Sequence, residues 1–474
     1  MVAYTEEEKN IPDKTNESPG AILINALLVL NSFIPIIAFY TIAIIIGEKL
    51  KDTIDYDMRS YRKFVIDFVI IVIPTVLFVI IKSSLAIYIN IALIVYISYS
   101  LYKMHCKDDL RDRFYVNGGE RPFAFTLDRS TLSLLVALFI IADQCVEMPN
   151  LYKKSRQYGA GLIDVGIGLY VFSTAIVQRR TKTFSKYLLV LTQLFIMSCG
   201  HISLVCFFNK KTDVNEFEMY WNGFFTLAFL KLLRIMCRKF CGQRTIPLKF
   251  GVALLIYHEF MLYTFTYTYV SDESFKRNTW ISANREVLFS FPGFLALYSI
   301  SAYIGRTIRK QQLVSSYQRT INLIKQLGMT CGILWLLVFF CSFTVSISRV
   351  TCNLGYVIWI LAIALTMTTL FMLIFHLIQN NNWFTEDKRD DEGEDNNTVF
   401  WVEPVVYLPM FLEAINSNGF LCYALAQAFA QALANANKSD FGQFQGVIII
   451  TGCAFLLTAA VCMKYRTNFS VTVA

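Results

Sequence analysis

Charged side chains are scarce in this chain, with Asp, Glu, Lys and Arg making up 16% of 474 residues. Histidine is scarcer still, at four copies. None of His105, His201, His258 and His376 stands in an H-x-x-x-x-D or H-E-x-x-H word, and no G-x-S-x-G or P-loop occurs. These absences exclude the acid–base pair of soluble glycerolipid acyltransferases, metalloprotease zinc chemistry, the nucleophile elbow and P-loop phosphate binding. The twelve cysteines are scattered, mostly inside apolar runs, so neither a disulfide framework nor a metal site is expected. Any proton transfer falls to a carboxylate.

What is abundant is apolar surface: 55% of residues are hydrophobic, 15% are aromatic, and the mean hydropathy is +0.48. That is too oily for a soluble protein of this length, so an all-α, polytopic membrane protein is expected. Apolar runs long enough to span begin near Ala21, Lys63, Ser84, Thr131, Ala160, Lys186, Trp221, Lys249, Val287, Leu327, Asn353, Leu408 and Gly446, a bundle of about thirteen helices. Residues 1–20 read as a polar tail without a cleavable leader, 21–466 as a single membrane domain, and 467–474 as a second tail. An acidic, Asn-rich stretch over 379–402 reads as a solvated loop.

With thirteen spans, about 30 of the 43 Lys and Arg fall on one set of loops. The positive-inside rule then puts that set and the C-terminus in the cytosol and the N-terminus in the lumen. The net charge of +8 is therefore juxtamembrane, matched to anionic lipid headgroups rather than nucleic acid.

Four polar words interrupt the apolar pattern. In Glu413-Ala414-Ile415-Asn416-Ser417-Asn418-Gly419, followed by Gln427 and Gln431, the residues Asn416, Ser417, Gln427 and Gln431 fall within about 60° of Glu413 on one helical face. A carboxylate in a span costs at least about 2.5 kcal/mol, so this stripe is expected to face protein or a watery cavity. Asp143 ends the fourth span and is followed by a polar turn over 144–158. In the fifth, Gly161, Asp164 and Gly168 share a helical face, which predicts close approach of a neighbouring helix and a bundle partner for Asp164. Ser282-Ala283-Asn284-Arg285-Glu286 precedes the ninth.

Three of these words, Leu162-Ile163-Asp164-Val165-Gly166-Ile167-Gly168-Leu169-Tyr170-Val171-Phe172-Ser173, Ser282 to Glu286 and Glu413 to Gly419, come in order with Tyr220-Trp221-Asn222 between them. In this order and spacing they resemble the inositol acyltransferases of GPI-anchor biosynthesis. The resemblance covers roughly Phe123 to the C-terminus. It implies a protein of the endoplasmic reticulum membrane that moves a fatty acyl chain from acyl-CoA, as co-substrate and without a cofactor, onto the inositol of glucosaminyl-phosphatidylinositol. It also implies a catalytic Asp and Lys flanking the lumenal turn, at Asp143 and Lys154. Substrate contacts are expected from Asp164, Tyr220, Trp221, Asn222, Asn284, Arg285, Glu413, Asn416 and Asn418. The chain is a divergent member, with Pro149-Asn150-Leu151-Tyr152 where the family usually writes Pro-Arg-Arg-Phe, Tyr220 for a His and Val287 for a Gly.

Acyl transfer from a thioester requires a base for the attacking hydroxyl and donors for the developing oxyanion. Asp143 suits the first task and Asn284, Arg285, Asn416 and Asn418 offer the second; Lys154 either orients the base or binds phosphate. With no residue suited to carry an acyl group, direct transfer is expected. Two other readings fit intramembrane carboxylates and glycine-broken helices: a polytopic lipid transporter or flippase, and a family member that binds without catalysing.

Overall fold

The structure, a computed structural model, describes residues 18–50, 61–81, 84–105, 114–116, 122–146, 151–152, 155, 157–177, 184–207, 222–240, 248–266, 270, 282, 284–310, 314–380, 409–433 and 444–465. Residues 1–17 of the first tail, the second tail, residues 381–402 of the acidic stretch, Lys154, Tyr220 and Trp221 lie outside them.

Helices α1 (Pro19–Lys49), α2 (Tyr61–Asp67), α3 (Ile73–Ile81) and α4 (Ser84–His105) come first, with a π-helical turn, Phe68–Val72, joining α2 to α3. Then follow α5 (Phe123–Cys145), α6 (Val165–Ile176), α7 (Phe184–Phe207), α8 (Gly223–Phe240) and α9 (Leu248–Met261). The chain closes with α10 (Arg285–Arg309), α11 (Tyr317–Thr344), α12 (Leu354–Asn380), α13 (Met410–Leu433) and α14 (Gln445–Tyr465). Among the described residues, the strands β1 (Phe114–Val116) and β2 (Val314–Ser316) form one short antiparallel pair.

Among the described residues, six helices (α1, α5, α10, α11, α12 and α14) are long and apolar enough to cross a membrane. Shorter apolar helical stretches include Ile87–Lys103, Val165–Ile176, Leu188–Gly200, Gly223–Leu233 and Leu421–Leu433. The protein is therefore an all-α membrane protein, with six full-length candidate spans among the described residues.

Burial sorts the helices. The span of α12 is 78% buried, and its Tyr356, Val357, Trp359, Ile360, Ala362, Ile363 and Leu365 are closed off completely. The span of α11 is 28% buried and presents Ile333, Leu336, Phe340 and Phe343 outward. A helix apolar all round belongs in the middle of a bundle or against lipid, and these two occupy the two cases.

Small residues set the closest helix contacts. A methyl group added at Gly168 would stand 2.6 Å from Ile360 and 2.8 Å from the Tyr356 hydroxyl, the close approach expected of this word. At Gly305 of α10 it would stand 2.3 Å from the backbone carbonyl of Ile176, where no side chain can give way.

Two boundaries differ from the sequence reading. The helix expected from about Thr131 begins at Phe123, which carries Asp128 and Arg129 into the bundle. The word Gly161 to Asp164 is a turn, and α6 starts only at Val165, so Gly161 shares no helical face with Gly168. The physical reason is local: Asp164 spends its side chain on turn donors rather than on the helix.

Several contacts fix helix direction. Gly419 on α13 faces the Ser133 hydroxyl on α5, and Gly452 of α14 lies against both Phe429 and Ile141, so α5 and α13 run parallel. The Asn418 amide reaches the Ala460 carbonyl and Tyr465 reaches that of Met410, making α14 antiparallel to both. Asp128 and Asp143 are fifteen residues apart on α5, about 22 Å along its axis at 1.5 Å per residue.

Candidate functional site

One carboxylate organises the turn between α5 and α6. Asp164 is fully buried, and its Oδ2 accepts from the Ser155 backbone N–H at 3.0 Å, the Ser155 hydroxyl at 2.8 Å and the Gly161 N–H at 3.1 Å. Its Oδ1 takes the Nε–H of Arg349, also at 3.0 Å, in an ion pair that leaves Arg349 only 14% exposed. The Tyr356 hydroxyl donates to the Asp164 carbonyl at 2.8 Å. Out of water a carboxylate needs several donors, and here five groups converge on one residue. The bundle partner expected for Asp164 is thus Arg349, in the turn between α11 and α12.

More of this turn is pinned to its surroundings. The Gly159 N–H donates to the Ile347 carbonyl and the Leu162 N–H to that of Leu151. Tyr152, 2% exposed, packs against Phe139 of α5 and faces Ser32 of α1, and burial pushes its hydroxyl above the ordinary tyrosine range. Apolar packing at Tyr152 and hydrogen bonding at Ser155 hold the chain on both sides of Lys154.

Asp143 lies in the last turn of α5, half-buried, with the Gln144 side-chain amide donating to its Oδ2 at 3.2 Å. Asn284 is fully buried at the start of α10, and Arg285, 1% exposed, places Nε 3.5 Å from Glu286 Oε1. Asn222 sits at the head of α8, where its side chain donates to the Ser198 carbonyl and accepts from the Phe225 N–H. It thereby ties α7 to α8. Gly223 reaches Ile167 of α6, and Gly293 of α10 lies against Cys352 beside the Arg349 turn. Asp143, Asp164, Asn222, Asn284 and Arg285 therefore gather at one end of the bundle.

The Glu413 to Asn418 part of the α13 stripe belongs to the other half, whereas Gln427 and Gln431 lie level with the end of α5 that carries Asp143. Met410 donates its N–H to Asp67, and Tyr465 approaches Glu413 at the same level. Ser417 and Gln431 are 7% and 5% exposed, and Asn418 is fully buried. The stripe faces protein, as a polar face in a span must. It is not one continuous face, since the backbone at Asn418 leaves helical geometry with φ −124° and ψ 30°. Beyond this kink, Gln427 donates to the Tyr423 hydroxyl. The side-chain carbonyl oxygens of Asn416 and Gln431 are buried and accept no hydrogen bond from the described residues.

Three charged groups in this framework are not apparent from sequence words. Arg349 has no motif around it. Asp128 accepts from the Thr368 hydroxyl at 2.6 Å, while its other oxygen, buried, meets no donor among the described residues. Asp67, fully buried, holds the first peptide of α13. The signal for Asp128 was present as Asp128-Arg129, but paired charges at a span edge read as loop.

Chemically, the Asp143 end combines a partly exposed carboxylate with buried amide and guanidinium donors. That set can take a proton from a hydroxyl and hold a developing oxyanion. Cys352 is disfavoured as an acyl carrier there, because burial pushes its fully enclosed thiol well above the ordinary range and the thiolate is the nucleophile.

Comparison with known proteins bears on this arrangement. The chain is 24% identical over 355 residues to the glucosaminyl-phosphatidylinositol-acyltransferase PIGW of Bos taurus, covering 70% of each protein. It is 22% identical over 391 residues to GPI-anchored wall transfer protein 1 of Eremothecium gossypii, covering 73% of this chain and 75% of that one. Against the protein of the same name from Kluyveromyces lactis it is 30% identical over 201 residues, 40% of this chain and 44% of that one. The model of the GWT1 family matches residues 16–463, nearly the whole length. The chain belongs to the GWT1 family.

Proposed function

We propose that this protein is an O-acyltransferase of GPI-anchor biosynthesis. In this reading it transfers a fatty acyl chain from acyl-CoA to an inositol hydroxyl of glucosaminyl-phosphatidylinositol in the endoplasmic reticulum membrane. The observation that carries the reading is the family match across residues 16–463, joined to a relative named for this acyl transfer.

The proposed step is direct. Asp143 accepts the inositol O–H proton as the oxygen attacks the thioester carbonyl carbon. A C–O bond forms, the C–S bond breaks, and the CoA sulfur leaves with the proton returned through Asp143. Asn284 and Arg285 hold the oxyanion or the sugar, and Lys154 orients the carboxylate or meets the lipid phosphate. The acyl chain lies among the apolar walls, where each buried methylene contributes about 0.8 kcal/mol. Asn222 and Asp164 act by fixing the elements around the substrate, since their side chains are engaged by protein groups. Asn416 and Asn418, with Glu413, contact substrate from the cytosolic half of the bundle. In the thirteen-span arrangement the N-terminus is lumenal, and acyl-CoA enters from the cytosol.

Cells lacking inositol acylation and producing this chain test the reading. Restored display of GPI-anchored proteins is expected for the wild-type chain and not for Asp143→Asn. Expression of the wild-type chain at normal levels without rescue would favour a binding member that has lost catalysis.

A further inference from the structure

A second polar site lies at the opposite end of the bundle from Asp143, on the end that carries Asp128 and Glu413. It is a cavity of about 510 Å³, opening to solvent between the end of α10 and the start of α11. Lys310, Ser316, Gln318, Arg319, Asn322 and Gln326 supply its polar lining. No carboxylate occurs among the described residues that line it. Its volume falls in the range of about 300–1,000 Å³ typical of small-molecule sites.

The composition selects for anions. Two cations, Lys310 and Arg319, stand beside hydroxyl and amide groups along a concave surface. Arg319 supplies a planar fork and Lys310 a point charge, the two geometries used on phosphate oxygens. Ser316 is the N-cap residue of α11, yet its hydroxyl caps no backbone N–H, and the first turn of that 28-residue helix carries no acidic residue. The edge is held in place because Ser316 pairs with Phe114 across the β1–β2 ladder.

We propose that this groove binds a phosphate-bearing polar group. The sources that supply it at this end are the nucleotide of a CoA thioester and the headgroup of an anionic phospholipid. In its nucleotide form the inference rests on the acyltransferase reading and gives that donor a docking point far from the base. The phosphates stay at the charged surface while the thioester arm enters the bundle.

The full-length protein in nanodiscs is titrated with adenosine 3′,5′-bisphosphate, and in parallel its retained phosphatidylinositol is measured by native mass spectrometry. The variants are the pair Lys310→Gln/Arg319→Gln and the conservative pair Lys310→Arg/Arg319→Lys. The first pair is expected to weaken one probe about tenfold, the combined effect of two exposed charges, and the second to keep it. Loss of nucleotide binding assigns the groove to the thioester donor, and loss of retained lipid with no nucleotide binding assigns it to a headgroup. Unchanged behaviour of both probes in the glutamine pair overturns the proposal. Nucleotide binding by a chain that transfers no acyl group would leave the groove standing and remove the acyltransferase reading. Acyl transfer insensitive to either pair, with both probes unchanged, would do the reverse.

Discussion

Asp143→Asn is expected to lower acyl transfer by about 10²–10⁴-fold, the usual contribution of a positioned base, with expression and folding intact. Two observations separate catalysis from stability here. The side chain is half-buried at the end of α5, and its recorded hydrogen bond is to the adjacent Gln144 amide rather than to a distant helix. An amide in its place is isosteric and accepts the same bond, but takes no proton. The loss should therefore fall on kcat, leaving KM for the thioester little changed, which a rate assay on detergent-purified protein will read. Full activity in the variant would move the base elsewhere, with Asp128 the next carboxyl to test.

Arg349→Met is expected to destabilise the protein by about 3–5 kcal/mol, because it leaves the fully buried Asp164 with a charge and no cation. The effect should exceed that of Ser155→Ala, which removes one of several hydrogen bonds to the same carboxylate at a cost of about 1.5–3 kcal/mol. Heating the purified protein and measuring what remains monodisperse provides the comparison. Arg349→Lys keeps the charge but not the Nε–H, and should fall between the two. Activity should track this series, since the Ser155 peptide that Asp164 holds follows Lys154 directly. A stable, active Arg349→Met protein would show that the turn is held without the ion pair.

Much of this framework was legible in the residues. The Gly168 contact with α12 and the need of Asp164 for a bundle partner both follow from small and charged residues in an apolar run, because lipid satisfies neither. The inward turn of the α13 stripe follows from the same argument. What sequence could not supply was partnership across long separations: Arg349 lies 185 positions from Asp164, and Thr368 lies 240 from Asp128. Charge misled at α5, where Asp128 and Arg129 suggested a loop and packing against α12 instead kept them helical. Periodicity misled at Asn418, where an ideal helix was extended through a kink. The polar words were found, and Asp143 and Glu413 belong to opposite halves of the parallel α5 and α13 pair.

That division makes the substrate path the centre of the account: a donor entering at one end must reach a carboxylate at the other, and the product must be covalent. The decisive measurement is the mass of the lipid recovered after purified protein in nanodiscs is given isotope-labelled acyl-CoA and glucosaminyl-phosphatidylinositol. The account predicts a product heavier by one labelled acyl group, located on the inositol ring by fragmentation and absent with Asp143→Asn. Unmodified lipid, or lipid merely redistributed between leaflets, would contradict it.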